Sequence, residues 1–371
     1  MMFLVSWRAG CRTGFPQIGN YHIKSLPSRP ALKISEVQST MRIKITPSSR
    51  TAECSLCRHT EFSQVADRDR KSNELKTVVC KKCGLVSHEC IPSNQELLEY
   101  YQEDYRSEYN GEATPSAYRV LREWDRGQAL VKQLGSYLAE SSDVLEVGSG
   151  IGCTVKSFEL AGHRSTGIEP GRGFCEYSRN VLDADVSEAI LADLPAEERY
   201  DMVMLVHVLE HLNDPMSSFE HVHSLLRPGG LFYVEVPNCG APHAAPPKMF
   251  HYAHIFNYAS WTLSHLGQST GFDVKEVISS ESNKNLQILF QKSNTRNDSR
   301  SFDMNGYEKS CASLTRYTNL TYHLRWNYVT TRMATMVHHL CGRIRAERRL
   351  EKLIKSFPEK SDIDSGIRRA A

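Results

Sequence analysis

The ten residues VLEVGSGIGC, 144 to 153, constrain the fold of this chain more than any other stretch. An apolar run too short for a helix ends at Gly148, and Gly150 and Gly152 follow before CTVKSFELAG, whose apolar spacing is helical. Strand, glycine turn and helix in that order open a β/α unit. Glycine lets the chain turn sharply and lets a ligand approach the backbone, with the amides of the helix start pointing at it. The pattern continues downstream. DVLEVG, STGIEP, YDMVMLV and LFYVEVP read as buried strands, while CTVKSFELAG, GFCEYSRNVL and PMSSFEHVHSLL between them read as helices. This alternation predicts a mostly parallel sheet, closed by a helix near 259–268 and two last strands near 272–279 and 285–290.

Two residues narrow what the glycine turn holds. A dinucleotide fingerprint G-x-G-x-x-G would need glycine at 153, where the chain has Cys153, and Glu146 stands two residues before the first glycine. A pyrophosphate would be repelled by that carboxylate, whereas a ligand with a cationic end would not. Glu169, 23 residues after Glu146 at the end of the next strand, is placed to accept both hydroxyls of a ribose. A nucleoside joined to a positive group and lacking phosphates satisfies all of this, and S-adenosylmethionine is such a ligand.

With these residues the sequence resembles the class I S-adenosylmethionine-dependent methyltransferases. ADLP (192–195), YDMVMLVHVLEHLNDP (200–215), LLRPGGLFYVEVPN (225–238) and HIFNYASWTLSHLGQSTGF (254–272) are similar to the later motifs of that family in order and spacing. Together they cover about residues 140–290. The resemblance implies an α/β fold with a Rossmann-like methyltransferase sheet of seven strands, mostly parallel with the last strand antiparallel. It further implies that Gly148, Gly150 and Gly152 line the methionine and ribose portion, that Glu146 holds the amino group and that Glu169 binds the ribose diol. Asp193 would face the adenine amino group, Leu194 would pack on the ring, and His207 would lie near the methionine end. For Glu146 the competing role is a helix cap, and for His207 and His211 a backbone hydrogen bond. Arg227, Pro228, Gly229 and Gly230 read as a turn entering the fifth strand.

CSLC (54–57) and CKKC (80–83) give C-x2-C-x22-C-x2-C. Each pair lets two sulfurs meet one ion from a single turn, so Cys54, Cys57, Cys80 and Cys83 form a structural zinc ribbon with no open coordination position. A zinc module before the catalytic unit is similar to the arrangement in small-molecule methyltransferases, including sugar C-methyltransferases. The aromatic run LLEYYQEDY would then bridge the two. Its Tyr100, Tyr101, Tyr105 and Tyr109 would form either a lid over the substrate or packing for the zinc unit.

Methyl transfer requires a base only when the acceptor must lose a proton, and an imidazole suits that role near neutral pH. KMFHYAHIFNY (248–258) follows the fifth strand and places His251 and His254 toward the acceptor, as a catalytic base or acceptor ligand; the alternative is that His254 anchors the loop. The resembled sugar C-methyltransferases read YHEH here. This chain reads HYAH, with His251 for the tyrosine, Ala253 for the glutamate and only His254 kept, a departure that favours an oxygen or nitrogen acceptor over a sugar carbon.

Composition sets the remaining bounds. Balanced charge, 45 basic against 43 acidic residues, argues against a surface built wholly for nucleic acid. The competing function, a nucleic-acid or protein methyltransferase reading its substrate through the ribbon, lacks an NPPY-type tetrapeptide and has VPNC at 236–239 instead. A non-catalytic binding protein is disfavoured by the intact glycine and acidic motifs. No run approaches a membrane span, and scattered cysteines point to a reduced, cytoplasmic protein. The expected divisions are 1–50, a basic extension that is disordered, targeting or upstream of a start at Met41; 51–92, the ribbon; 93–140, a helical linker or lid opened by Ser93 and Glu96; 141–295, the methyltransferase unit; and 296–371, a helical basic segment. In the last, Met333, Val337, Leu340 and Ile344 have helical spacing, and RIRAERRLEKLIK (343–355) reads as a solvated face or a contact for anionic lipid or nucleic acid.

Overall fold

A computed structural model describes residues 43–47, 52–105, 115–241, 244–293, 303 and 305–358, without the side chains of 98, 101–105, 327 and 337–341. Most of the expected N-terminal extension therefore lies outside the described residues, as do Tyr109 and the side chains of Tyr101, Tyr105, Val337 and Leu340.

The N-terminal strands are β1 (Thr46–Pro47), β2 (Phe62–Arg68), β3 (Glu74–Cys80) and β4 (Val86–His88). Helix α1 (Asn94–Tyr105) starts where the sequence signals it: the Ser93 amide donates to Glu96 Oε2 at 2.7 Å, and the Glu96 amide donates to Ser93 Oγ at 3.3 Å. Then come α2 (Ala117–Leu134), β5 (Asp143–Val147), α3 (Cys153–Leu160), β6 (Arg164–Ile168), α4 (Arg172–Val181), β7 (Val186–Ser187), β8 (Tyr200–Val206), α5 (Pro215–Leu225) and β9 (Leu226–Pro237). The chain continues through β10 (Phe256–Asn257), α6 (Ser260–Ser269), β11 (Phe272–Val277) and β12 (Asn285–Lys292). It ends in α7 (Gly306–Thr315), α8 (Asn319–His323), α9 (Trp326–Arg343) and α10 (Ala346–Ile354).

The larger sheet has seven strands in the order β11-β12-β9-β8-β5-β6-β7. Its strands from β5 to β9 run parallel, and β12 is antiparallel to both neighbours, as the sequence implies. The two-residue β7 is too short to leave a periodic signal. Residues Arg227–Gly230 fall inside the bounds of β9, but pairing with β8 jumps from Tyr200–Leu226 to Met202–Leu231 and Gly229 has φ +74°, so they loop out of the ladder as a turn at the strand's entry. Arg227 there bridges Asp201 and Asp143, each at 2.8 Å.

The smaller sheet has the order β1-β2-β3-β4-β10, so its last strand comes from the far half of the sequence. Phe256 pairs with Ser87 and Asn257 with Val86, which covers the backbone edge that β4 would otherwise leave unpaired. One buried cluster runs from Cys54, Phe62 and Leu85 through Ile255 and Phe256 to Val203, Phe232 and Phe290, uniting the two sheets in one core. Helix α2, expected in a linker, packs closely on α3 instead: a Cβ at Gly127 would meet Ser157 Oγ at 2.6 Å and Cys153 O at 3.0 Å. The boundary expected at 140/141 therefore divides elements that pack as one unit. Helix α7 braces the metal-type turn, where Gly84 has φ +75° and Ser310 Oγ donates to its carbonyl at 2.6 Å. A Cβ at Gly84 would fall 2.1 Å from Gly306 O, so both conformation and contact require glycine there.

Candidate active site

Gly148, Gly150 and Gly152 all adopt left-handed backbone, with φ of 68°, 55° and 77°, and Gly152 caps α3. They are glycine for different reasons. A Cβ at Gly148 would strike Val208 and one at Gly152 would strike Ser178, but one at Gly150 would project into open space. That space belongs to a cleft of about 130 Å³ lined by the glycine turn, Glu146, Thr154 and the α2 side chains Arg119, Glu123 and Arg126. The three α2 residues are not marked in the sequence because the helix lies before the first strand of the large sheet and carries no motif.

Glu169 Oε2 accepts from the Gly150 amide at 3.0 Å and Oε1 from the Gly171 amide at 2.8 Å. Each oxygen retains a second acceptor position, so the carboxylate is oriented without being used up. Burial nonetheless raises its pKa against the pull of those amides and Arg119. Glu146, on β5, is buried, and its Oε2 has no hydrogen-bond partner. Desolvation pushes its pKa to about 8, although Thr154 and Arg126 oppose the shift. An unpartnered buried carboxyl oxygen beside an open glycine cradle suits a cationic ligand end, and these residues fit S-adenosylmethionine.

Asp193 follows β7 in the chain. It is exposed, in a short helical turn Leu191–Asp193, and its Oδ2 accepts from the Ile190 amide at 2.9 Å. The strand that ends at this edge is β7, and Glu188 follows its last residue. Leu194 is half-buried against the main core.

On the other side of the sheet ends, His251 and His254 meet His211 from the segment after β8. The His251 and His254 rings are 3.7 Å apart between centroids, and His211 meets His254 edge-on at 5.0 Å. His211 Nδ1 lies 2.7 Å from the Ala253 carbonyl, so it donates there, and burial lowers its pKa. Ligand atoms of Glu210, His211 and His254 all lie within 4.8 Å of one another, close enough to converge on one cation. Glu210 is buried with Oε2 unpartnered.

His207 (φ +56°) sits between Glu210, 3.2 Å from Nδ1, and Glu235, 3.4 Å from Nε2. Burial alone would depress its pKa, but the two carboxylates lift it to about 9. Glu235 is a hub the sequence reading passed over. Its oxygens receive Arg126 Nη2 (2.8 Å), Asn285 Nδ2 (2.7 Å), Gln287 Nε2 (2.9 Å) and the Tyr233 hydroxyl (3.0 Å). Burial works against its charge, yet His207, Arg126 and Gln287 together hold it below the usual carboxylate range. The available signal was a glutamate inside the apolar run LFYVEVP, since buried acids are rare unless paired.

Sγ of Cys54 lies 3.6 Å from that of Cys83, and Sγ of Cys57 3.5 Å from that of Cys80, with all four sulfurs within 4.8 Å. A tetrahedral zinc with bonds of about 2.3 Å needs sulfurs about 3.8 Å apart, so the four thiolates fit the ion. His88, fully buried at the end of β4, hydrogen-bonds the backbone of His251 and His254 and has a pKa lowered to about 4 by burial. Its amide donates to Ile255 O at 3.0 Å. The cysteine-bearing module thus grips the histidine loop directly. Among the described residues Cys54, Cys57, Cys80, Cys83, Cys153, Cys175, Cys239 and Cys311 are free thiols.

Comparison with known proteins agrees with this geometry. Residues 118–277 match the family described as a methyltransferase domain. The C-methyltransferase NovU of Streptomyces niveus is 25% identical over 207 residues, which are 50% of this chain and 47% of that protein. A probable S-adenosylmethionine-dependent methyltransferase of Mycolicibacterium smegmatis is 28% identical over 173 residues, 45% of this chain and 66% of that one. A ubiquinone biosynthesis O-methyltransferase of Azotobacter vinelandii is 32% identical over 104 residues, 26% of this chain and 44% of that one. In each case the chain spans less than two thirds of the relative's own length. Residues 118–277 therefore form a methyltransferase domain, related in sequence to those of S-adenosylmethionine-dependent methyltransferases.

Proposed function

We propose that the protein is an S-adenosylmethionine-dependent methyltransferase acting on the oxygen, nitrogen or carbon of a small molecule, with a structural zinc bound by Cys54, Cys57, Cys80 and Cys83. The observation that carries the cofactor assignment is the pairing of an orphaned, buried Glu146 oxygen with an open cradle at Gly150, beside a Glu169 carboxylate fixed by two amides. The cofactor supplies a methyl group on a sulfonium, an electrophile needing no further activation. Glu146 holds the amino group, Glu169 the ribose hydroxyls, and the β7 edge with Asp193 and Leu194 the adenine. His207, held cationic between two carboxylates, stiffens the floor between cofactor and acceptor sides.

His254 takes the proton when the acceptor must lose one. The contacts with His251 and His211 fix its ring plane, and the buried Glu210 stabilises the imidazolium that results. Positioning contributes the rest, because an in-line displacement is sensitive to the placement of the acceptor. The small-molecule acceptor is supported by relatives named as C- and O-methyltransferases. Mass spectrometry of cell extract incubated with isotopically labelled methyl donor identifies the acceptor. With that acceptor in hand, His254→Ala should lower kcat by about 10²- to 10⁴-fold while leaving cofactor Kd nearly unchanged. Parallel loss of folding and cofactor binding would show instead that His254 only anchors the loop.

A further inference from the structure

The C-terminal helices present an apolar stripe that no part of the described chain covers. Leu324 and Trp326 are 69% and 78% exposed, and Val329, Met333 and Met336 are exposed with them. At 3.6 residues per turn, Trp326, Val329, Met333 and Met336 fall within an arc of about 80° on α9. Arg332 and Arg343 are exposed and lie along one border of that arc. The end of α9 is fixed to the body: a Cβ at Gly342 would strike the Tyr118 ring at 2.5 Å, and Leu350 of α10 packs against the same buried cluster as Trp124 of α2. The stripe is therefore carried on a supported helix.

Charge identifies what fits it. Between Glu308 and Glu347 there is no acidic residue, while Lys309, Arg316, Arg325, Arg332, Arg343 and Arg345 all lie in that interval. A symmetric pairing of two such faces would bring like charges together with no carboxylate to neutralise them. Nucleic acid would use the arginines but leave leucine, methionine and valine in water. An anionic bilayer surface uses both: the apolar arc enters the acyl boundary, Trp326 sits at headgroup level, and the bordering arginines reach lipid phosphates. No helix among the described residues is long and apolar enough to cross a membrane, so the contact is a peripheral one. We propose that the α8–α9 face binds the surface of an anionic lipid membrane. This inference does not depend on the methyltransferase reading.

The test is co-sedimentation of the zinc-loaded full chain with phosphatidylcholine vesicles, with and without phosphatidylserine. Binding should require the anionic lipid and weaken as salt is raised. R332Q/R343Q should reduce the partition coefficient about thirtyfold, and L324S/W326S should abolish binding although every arginine remains. Both pairs are exposed, and unchanged melting temperatures would confirm that the fold is kept. Equal binding to neutral vesicles, or no binding to either, would overturn the proposal. So would sedimentation velocity showing a dimer that L324S/W326S dissociates, or oligonucleotide binding that survives that variant.

Discussion

A buried carboxyl group with one oxygen lacking any hydrogen-bond partner holds its proton, and Glu146 is such a group, with a pKa of about 8. Its folded pKa lies above the ordinary carboxylate value. The stability it contributes to the ligand-free protein is complete below about pH 4.5 and is lost as pH rises through 8. An ammonium placed beside Glu146 reverses that preference. Cofactor binding should therefore release a proton, and affinity should rise by up to about tenfold per pH unit between pH 6 and 7.5. Calorimetry in buffers of different ionisation enthalpy measures both effects. In Glu146→Gln the proton release and the slope should vanish; an unchanged slope would remove Glu146 from the site.

At the scale of elements, the pairing of β4 with β10 makes the histidine loop part of the cysteine module's sheet. With the proposed zinc at the four cysteines, the loop's geometry depends on an ion held more than one element away. Cys80→Ser, at the end of β3, should lower the zinc content measured by atomic absorption. It should cost about a hundredfold in turnover through misplacement of His251 and His254, with cofactor affinity retained because β5 and the glycine turn stand outside that sheet. Loss of both together would show that the two units fold only as one.

The same comparison explains what the sequence made legible. The longer strands of the large sheet, the glycine turn, the Ser93–Glu96 cap and the four cysteines were readable because each rests on local periodicity or spacing. The β4–β10 pair, the cleft wall formed by α2 and the partners of Glu235 were not readable, because each joins residues far apart in the chain.

For the whole molecule, two sheets share one core, and the cofactor cleft and histidine cluster lie at the ends of the same parallel strands, where α/β sheets bind their ligands. Arg126 and Glu235 join the two sides: Arg126 lines the cleft and Glu235 contacts His207. This arrangement rests on the cradle holding S-adenosylmethionine. The most direct measurement is calorimetric titration of that compound into the wild-type protein and into Glu169→Ala. The wild type should bind one equivalent, and Glu169→Ala should bind at least tenfold more weakly, as expected for loss of hydrogen bonds to a charged group. Absence of binding to the wild type, or equal affinity in the two proteins, would contradict the account.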